Sequence, residues 1–283
     1  MLKQRIITAA ILAPLAIAAL FLLSLPGFHL AMVAVCLIAA WEWTGFATPD
    51  SPKKRKLQLA VFGLAIAGVS TLLPANILPD LIEQASTKLI LAMATGWWFC
   101  ALLLVLAYPK SDVLWRSNIV VTFIVGCLTI IPFLWAMLAL HSWNYQADSL
   151  DGGILLLYVM LLVWGADTGA YFAGRAFGKH KLAPKVSPKK TWEGLAGGIV
   201  TAMLIAVLFS TFVELNWKDF SLLMLASLFA VLASAIGDLS ESMFKRTAGI
   251  KDSGKILPGH GGVLDRIDSL TAAMPVFAFI YLL

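Results

Sequence analysis

One pattern recurs along almost the whole chain: about 20 apolar residues, a short polar connection, then another apolar run. A helix advances about 1.5 Å per residue, so a run of that length is what is needed to cross the hydrocarbon core of a bilayer. Nine such runs can be drawn, near residues 5–24, 28–47, 57–74, 88–108, 119–140, 154–174, 195–213, 221–241 and 264–283. Composition agrees, with 60% hydrophobic residues, 13% charged residues and a mean hydropathy of +0.87, where a soluble domain carries about 25% charged residues. The expected fold is an all-α integral membrane protein, a polytopic bundle of about nine transmembrane helices. Connections are short except at 175–194 and 242–263, so one membrane-embedded domain over 1–283 is expected.

Orientation follows from the basic residues, because cytoplasmic loops retain Lys and Arg. With the N-terminus inside, of the 21 Lys and Arg residues only Lys88 and Lys218 fall outside. The expected topology is therefore N-terminus cytoplasmic and C-terminus outside, with both long loops on the cytoplasmic face. The first run follows Lys3 and Arg5 as a signal peptide would, yet it is long and no small-x-small site precedes Pro26. It reads as an uncleaved anchor. Cys36, Cys100 and Cys127 lie inside expected spans at no paired spacing and read as small buried hydrophobes. The basic loop Lys53, Lys54, Arg55 and Lys56 reads as a topology signal only.

Between Asp238 and Asp268 this greasy chain turns polar: GDLSESMFKRTAGIKDSGKILPGHGGVLDRID. The acids Asp238, Glu241, Asp265 and Asp268 sit where a bilayer disfavours charge, at a cost of roughly 2.5 to 3.5 kcal/mol for a residue at mid-membrane. On a helix through 236–246, Asp238, Glu241, Ser242 and Lys245 share one face, and Asp265 and Asp268 share a face of the last span. The eighth span enters the cytoplasmic side and the ninth leaves it, so these acids are expected at a common depth. Each acid alone could cap a helix or pair with Lys245, Arg246 or Arg266; the group together suggests a divalent-cation or phosphate site. Oxygen ligands suit Mg²⁺, which takes one or two carboxylates, waters and substrate phosphates.

The loop between them carries Gly249, Gly254, Gly259, Gly261 and Gly262, which let consecutive amides face an anion. Lys251, Lys255 and Arg266 could neutralise phosphate or serve only as topology signals, and His260 could hydrogen-bond a phosphate or brace the loop. The other long loop lies within WGADTGAYFAGRAFGKHKLAPKVSPKKTWEG, Trp164 to Gly194. It adds an intramembrane acid, Asp167, then Lys189 and Lys190 with Ser187 and Thr191 as hydroxyl donors. Gly165, Gly169, Gly174 and Gly178 read as small residues for close helix packing.

Ser242, Phe244, Lys245, Arg246, Lys251, Asp252, Gly254, Leu257, Pro258, His260, Gly261, Gly262, Val263, Asp265, Arg266, Ile267 and Asp268 carry a resemblance. Over 242–268 the chain resembles the signature of phosphatidate cytidylyltransferases, also called CDP-diacylglycerol synthases. Length, polytopic pattern and the 164–194 segment are similar to bacterial members; the first 150 residues carry no motif beyond the spans. The resemblance implies transfer of a cytidylyl group from CTP to phosphatidate with Mg²⁺ at the cytoplasmic face of a bacterial inner membrane, for phospholipid biosynthesis. It implies Asp238, Asp265 and Asp268 as metal ligands, with Lys245, Arg246 and Arg266 taking phosphate charge. Ser242, His260, Gly261 and Gly262, with Lys251, would shape the phosphate loop. Asp167, Ser187, Lys189, Lys190 and Thr191 would bind either the lipid phosphate or the nucleotide. No nucleic-acid partner is expected; oligomeric state, a homodimer included, and a second cation stay open.

Two alternatives use similar parts. A CTP-dependent lipid kinase would move the γ-phosphate instead, and an ion-coupled transporter would carry carboxylates near mid-membrane on broken helices. No G-x-x-x-x-G-K-[ST] sequence is present, so an ATPase of that type has no support.

Overall fold

A computed structural model describes residues 2–48, 51–213 and 215–283, with the side chains of all of these but residues 2–7 and 9. The side chains of Lys3 and Arg5, used above for orientation, lie outside that part. Among the described residues the chain forms nine α-helices and one β-hairpin. They run α1 (Leu2–Leu22), α2 (Leu25–Ala47), α3 (Pro52–Thr71), α4 (Ala85–Ala107), α5 (Ile119–His141), α6 (Asp151–Phe177), β1 (Lys181–Ala183), β2 (Ser187–Thr191), α7 (Trp192–Ser210), α8 (Trp217–Thr247) and α9 (Leu264–Leu282). Short 3₁₀ turns occupy Leu78–Glu83 and Lys110–Leu114.

The helices begin where local chemistry satisfies their first amide groups. Asn118 Oδ1 accepts from the Val120 and Val121 amides, Thr191 Oγ1 from Gly194 N and Asn216 Oδ1 from Asp219 N, each supplying an acceptor that the helix itself lacks. Pro52 opens α3, where a missing amide hydrogen costs nothing.

Six helices, α2 and α4 through α8, are long and apolar enough to cross a membrane. The other three carry charge at one end. Lys53 to Lys56 fill the first turns of α3, and Asp265, Arg266 and Asp268 those of α9, while the apolar part of α1 is Ala10–Leu22. All nine coincide with the expected runs to within a few residues. The differences lie between the runs: residues 181–191, expected as loop, pair as the antiparallel β1–β2 hairpin, and α8 extends to Thr247 to carry its polar stripe in one continuous helix.

Side-chain contacts fix the alternation of helix directions. At one end of the bundle His141 Nε2 lies 3.0 Å from Leu20 O, His29 Nε2 lies 3.1 Å from Ser70 Oγ, and Trp135 Nε1 donates to Thr87 Oγ1 at 2.9 Å. These join the ends of α1, α3 and α5 to the starts of α2 and α4. At the opposite end Trp43 Nε1, late in α2, donates to Thr122 O, early in α5, at 2.8 Å. That second end also holds the β-hairpin and the 249–263 loop.

The α6 and α7 helices meet along a seam of small residues. A Cβ on Gly169 would stand 2.1 Å from Thr201 Oγ1, and one on Gly198 would stand 2.7 Å from Ala166 O. Gly165 likewise meets Ile205, and Gly174 and Gly178 meet Thr191, so the packing role expected of these glycines is the one they have. Helix α8 approaches α9 as closely, with a Cβ on Gly237 falling 2.5 Å from Asp268 O.

Candidate active site

Three helices and the hairpin enclose a cavity of about 440 Å³ at the hairpin end of the bundle. Helix α6 contributes Asp167, Tyr171 and Arg175, β2 contributes Lys189, Lys190 and Thr191, and α8 contributes Ser234 and Asp238. Alternation along β2 would send Lys189 and Lys190 to opposite faces, yet both line this cavity. Lys190 Nζ pairs with Asp238 Oδ2 at 2.7 Å, and Ser242, one turn further along α8, donates to Asp238 Oδ1 at 3.2 Å. Asp167 is close enough to Lys190 and Asp238 for all three charges to act on one another. Glu193 fastens the hairpin to α7 by accepting from His180 N at 3.2 Å and meeting His180 Nδ1 at 2.6 Å.

Beside this polar cavity runs a larger apolar one of about 680 Å³. Trp98, Phe99 and Leu102 of α4 and Phe229 and Leu232 of α8 wall it, and Leu182, Leu195 and Ala235 belong to both cavities. A charged chamber thus adjoins a hydrocarbon-lined groove.

The acids of α8 and α9 are divided between two tasks. Asp238 faces the cavity. Asp265 does not: its Oδ1 accepts from Lys245 Nζ at 2.6 Å, and its Oδ2 from Ser253 N at 2.9 Å and Gly262 N at 2.8 Å. Lys245, only 8% exposed, also holds Glu241 Oε2 at 2.5 Å. Asp268 accepts from its neighbour Ser269 N at 2.7 Å and feels the charges of Asp238 and Lys245. Of the expected metal ligands Asp238, Asp265 and Asp268, Asp238 alone lines this cavity. Among the described residues no three of His, Cys, Asp and Glu are grouped to hold an ion. A metal role for Asp265 would require surrendering contacts that knit the loop to the bundle.

The other expected site residues separate likewise. Lys245 is committed to two buried carboxylates rather than open to a phosphate. Arg246 is exposed on α8 and its Nε donates to Val186 O at 3.4 Å, bracing the hairpin turn. Arg266 is exposed with no side-chain partner among the described residues. Ser187 pairs in β2 opposite Ala183, outside the residues lining the polar cavity. Gly261, at φ +84°, and Gly262 turn the loop back so that Gly262 N reaches Asp265. His260 donates its amide to Leu257 O, and its Nδ1 is buried without a partner among the described residues. Lys251 lies on a separate cavity of about 480 Å³, with Trp41, Glu42 and Arg55 on the far wall.

Glu42 and Arg55 are functional candidates that the sequence reading passed over. Glu42 is 1% exposed in α2, and its carboxylate accepts from Val263 N at 3.1 Å and Leu264 N at 2.7 Å, at the start of α9. Arg55, assigned above to topology alone, donates to Thr44 Oγ1 at 3.2 Å and Trp41 O at 3.0 Å and lies 4.3 Å over the Trp41 ring. One signal could have found Glu42: it is the single acid in its apolar run, and an ionisable residue inside a span marks a functional position by default.

Similarity to known proteins extends along nearly the whole chain. A family model described as the Cytidylyltransferase family matches residues 3–283. A phosphatidate cytidylyltransferase of Haemophilus influenzae is 45% identical over 285 residues, covering 99% of each chain. One from Pseudomonas aeruginosa is 44% identical over 278 residues, 98% of this chain and 96% of its own. One from Staphylococcus haemolyticus is 36% identical over 237 residues, 77% of this chain and 90% of its own. A match of that length and depth, on a bundle with a charged chamber at one end, means that the chain belongs to the cytidylyltransferase family and is a membrane-embedded nucleotidyltransferase.

Proposed function

We propose that the chain transfers the cytidylyl group of CTP to phosphatidate, releasing pyrophosphate and forming CDP-diacylglycerol for phospholipid synthesis. The observation that carries this reading is the shared wall of the two cavities: a chamber lined by Lys189, Lys190, Asp167 and Asp238 opens beside an apolar groove through Leu182, Leu195 and Ala235. One substrate is a polyanion and the other an anion with hydrocarbon tails, and the paired cavities suit that combination. The names of the relatives support the same substrates.

A phosphate monoester carries about −1.5 to −2 charge at neutral pH, so the lipid phosphate needs no activation by Ser, Cys or His. Its oxygen attacks the α-phosphorus of CTP, a new P–O bond forms, the bond from that phosphorus to the oxygen bridging the β-phosphorus breaks, and pyrophosphate leaves with the electron pair. The protein's part is to hold two anions together and to stabilise charge moving onto the leaving group. Lys189, Lys190 and Arg175 are cations lining the chamber, and Lys190 can leave Asp238 for a phosphate because both side chains are partly open, at 27% and 29%.

Mg²⁺ belongs to this reading. The carboxylates facing the chamber, Asp167 and Asp238, offer oxygen-only donors of the number this ion takes when substrate phosphates complete its shell. Bound there, it would neutralise phosphate oxygens on both reactants. The chain is further read as crossing a bacterial inner membrane nine times, with its N-terminus and this chamber on the cytoplasmic side, because that arrangement leaves only Lys88 and Lys218 outside.

Purified full-length protein given phosphatidate, Mg²⁺ and CTP labelled on either the α or the γ phosphate tests the reaction. Label from the α position should appear in the lipid while the γ label leaves as pyrophosphate. Lipid carrying the γ label would instead make the enzyme a lipid kinase, and solute flux without CTP would make it a transporter.

A further inference from the structure

The loop between α8 and α9 is closed at its neck by two carboxylates from different helices. Asp265 takes Ser253 N and Gly262 N, and Glu42 takes Val263 N, Leu264 N and, at 3.4 Å, the Ser253 hydroxyl. Ser253 is thus held by both acids, through its amide by one and its side chain by the other. Between these anchor points the chain reverses through the Leu257–Gly261 bridge. Two glycines make the fit possible. A Cβ on Gly254 would fall 2.2 Å from Glu42 Oε1, and one on Gly262 would fall 2.5 Å from Glu42 Oε2 and 2.2 Å from Ser253 Oγ.

We infer that Glu42 is a positioning residue for the transfer site: reaching across from α2, it sets the register of the loop neck and of the first turn of α9, and through Asp265 and Lys245 the placement of the polar face of α8. The route is continuous in the structure. Glu42 fixes residues 263–264, Asp265 follows directly, Lys245 bridges Asp265 to Glu241, and Asp238 stands one turn before Glu241 on the same helix. An acid held 1% exposed in an apolar helix would be costly unless its bonds were needed. The backbone amides of Val263 and Leu264 compensate that burial in part. Both carboxylate oxygens of Glu42 accept from the loop or from the start of α9, so its effect passes through what it holds.

The inference rests on the cytidylyltransferase reading for its kinetic arm and is independent of that reading for its structural arm. The full-length protein is reconstituted in nanodiscs as wild type, Glu42→Gln, Glu42→Ala, Gly254→Ala and the double variant Glu42→Ala/Gly254→Ala. Steady-state kinetics are read with hydrogen exchange at the 253 and 262–264 amides. Glu42→Ala should lower kcat by on the order of 10- to 100-fold with a smaller change in either KM, since misplacing reacting groups by about 1 Å costs that much. Exchange should rise at 263 and 264 while α5 is unchanged. Glu42→Gln keeps the shape and one acceptor and should retain more activity than the alanine. Gly254→Ala should damage the wild type but add little to Glu42→Ala, because the shortened side chain leaves room for the new methyl. Wild-type kcat in Glu42→Ala, or fully additive effects in the double variant, would overturn the inference. A wild-type protein that makes no CDP-diacylglycerol would sink the proposed reaction alone; unchanged exchange at 263 and 264 in Glu42→Ala would sink the clamp alone.

Discussion

Lys190 of β2 and Asp238 of α8 meet at 2.7 Å across the polar cavity, joining the hairpin to the bundle through an ion pair that both partners can leave. A partly exposed pair contributes about 0–1 kcal/mol to stability, so its position in the chamber matters more than its strength. Lys190→Ala should therefore lower kcat/KM for CTP by on the order of 10²-fold while the unfolding midpoint stays close to wild type. Lys190→Arg should recover part of the loss. Kinetics with CTP varied, beside thermal unfolding in the same detergent, check both halves.

Asp265 behaves differently because it has no open side. Lys245, Ser253 and Gly262 all converge on its carboxylate. Lys245 keeps Glu241 as a partner when the Asp265 charge is removed, but the loop loses its anchor, and breaking a buried hydrogen-bonded network of this kind costs about 1–3 kcal/mol. Asp265→Asn should lose activity and thermal stability together. Asp238→Asn, by contrast, should lose activity with the fold intact. Equal stability of the two variants would show that Asp265 does not anchor the loop.

Chelation should abolish turnover, and Mg²⁺ should restore it. The carboxylates facing the chamber are Asp167 and Asp238, so the concentration of Mg²⁺ giving half-maximal restoration should rise in Asp167→Asn with little change in Asp265-dependent thermal stability. Turnover that survives exhaustive chelation would remove the metal from the mechanism.

How far the sequence could be read depends on the range of the forces involved. The helices were legible because a helix-length apolar run is decided locally, and all nine appear where the runs lie. The seam of Gly165, Gly169, Gly174 and Gly178 was legible for the same reason, since small residues in a span have few other uses. The partition of the acids was not. Helical spacing puts Asp265 and Asp268 on one side of α9, but whether that side meets a cavity or the loop amides depends on residues such as Ser253 and Gly262 folding back. The hairpin was missed because Ser187 to Thr191 is SPKKT, with no apolar alternation to mark a strand. Glu42 pairs with backbone more than two hundred positions away, a distance at which no sequence pattern operates.

The basic cluster at the start of α3 should divide on mutation. Lys53, Lys54 and Lys56 are exposed, whereas Arg55 is half-buried against Trp41 and Thr44. Lys53→Ala should change stability by no more than about 0.5 kcal/mol. Arg55→Ala forfeits two hydrogen bonds and a cation–π contact, about 1–2 kcal/mol together. Thermal unfolding of the two variants side by side measures the difference.

A similar contrast runs through the glycines. Gly169→Val would drive a side chain into Thr201 Oγ1 and Gly197 O and should pry α6 from α7, with a loss of folded protein on extraction. A Cβ on Gly96 meets nothing within 4 Å, so Gly96→Ala should stabilise α4 by about 0.5–1 kcal/mol. Detergent melting curves separate the two cases.

The groove walled by Trp98, Phe99, Leu102, Phe229 and Leu232 has a thermodynamic meaning that its size conceals. A lipid tail sliding into it leaves one hydrocarbon environment for another, and without water to escape there is almost no hydrophobic gain. If the groove holds the tails of the proposed substrate, it would locate that substrate while scarcely binding it, and recognition would fall on the head group.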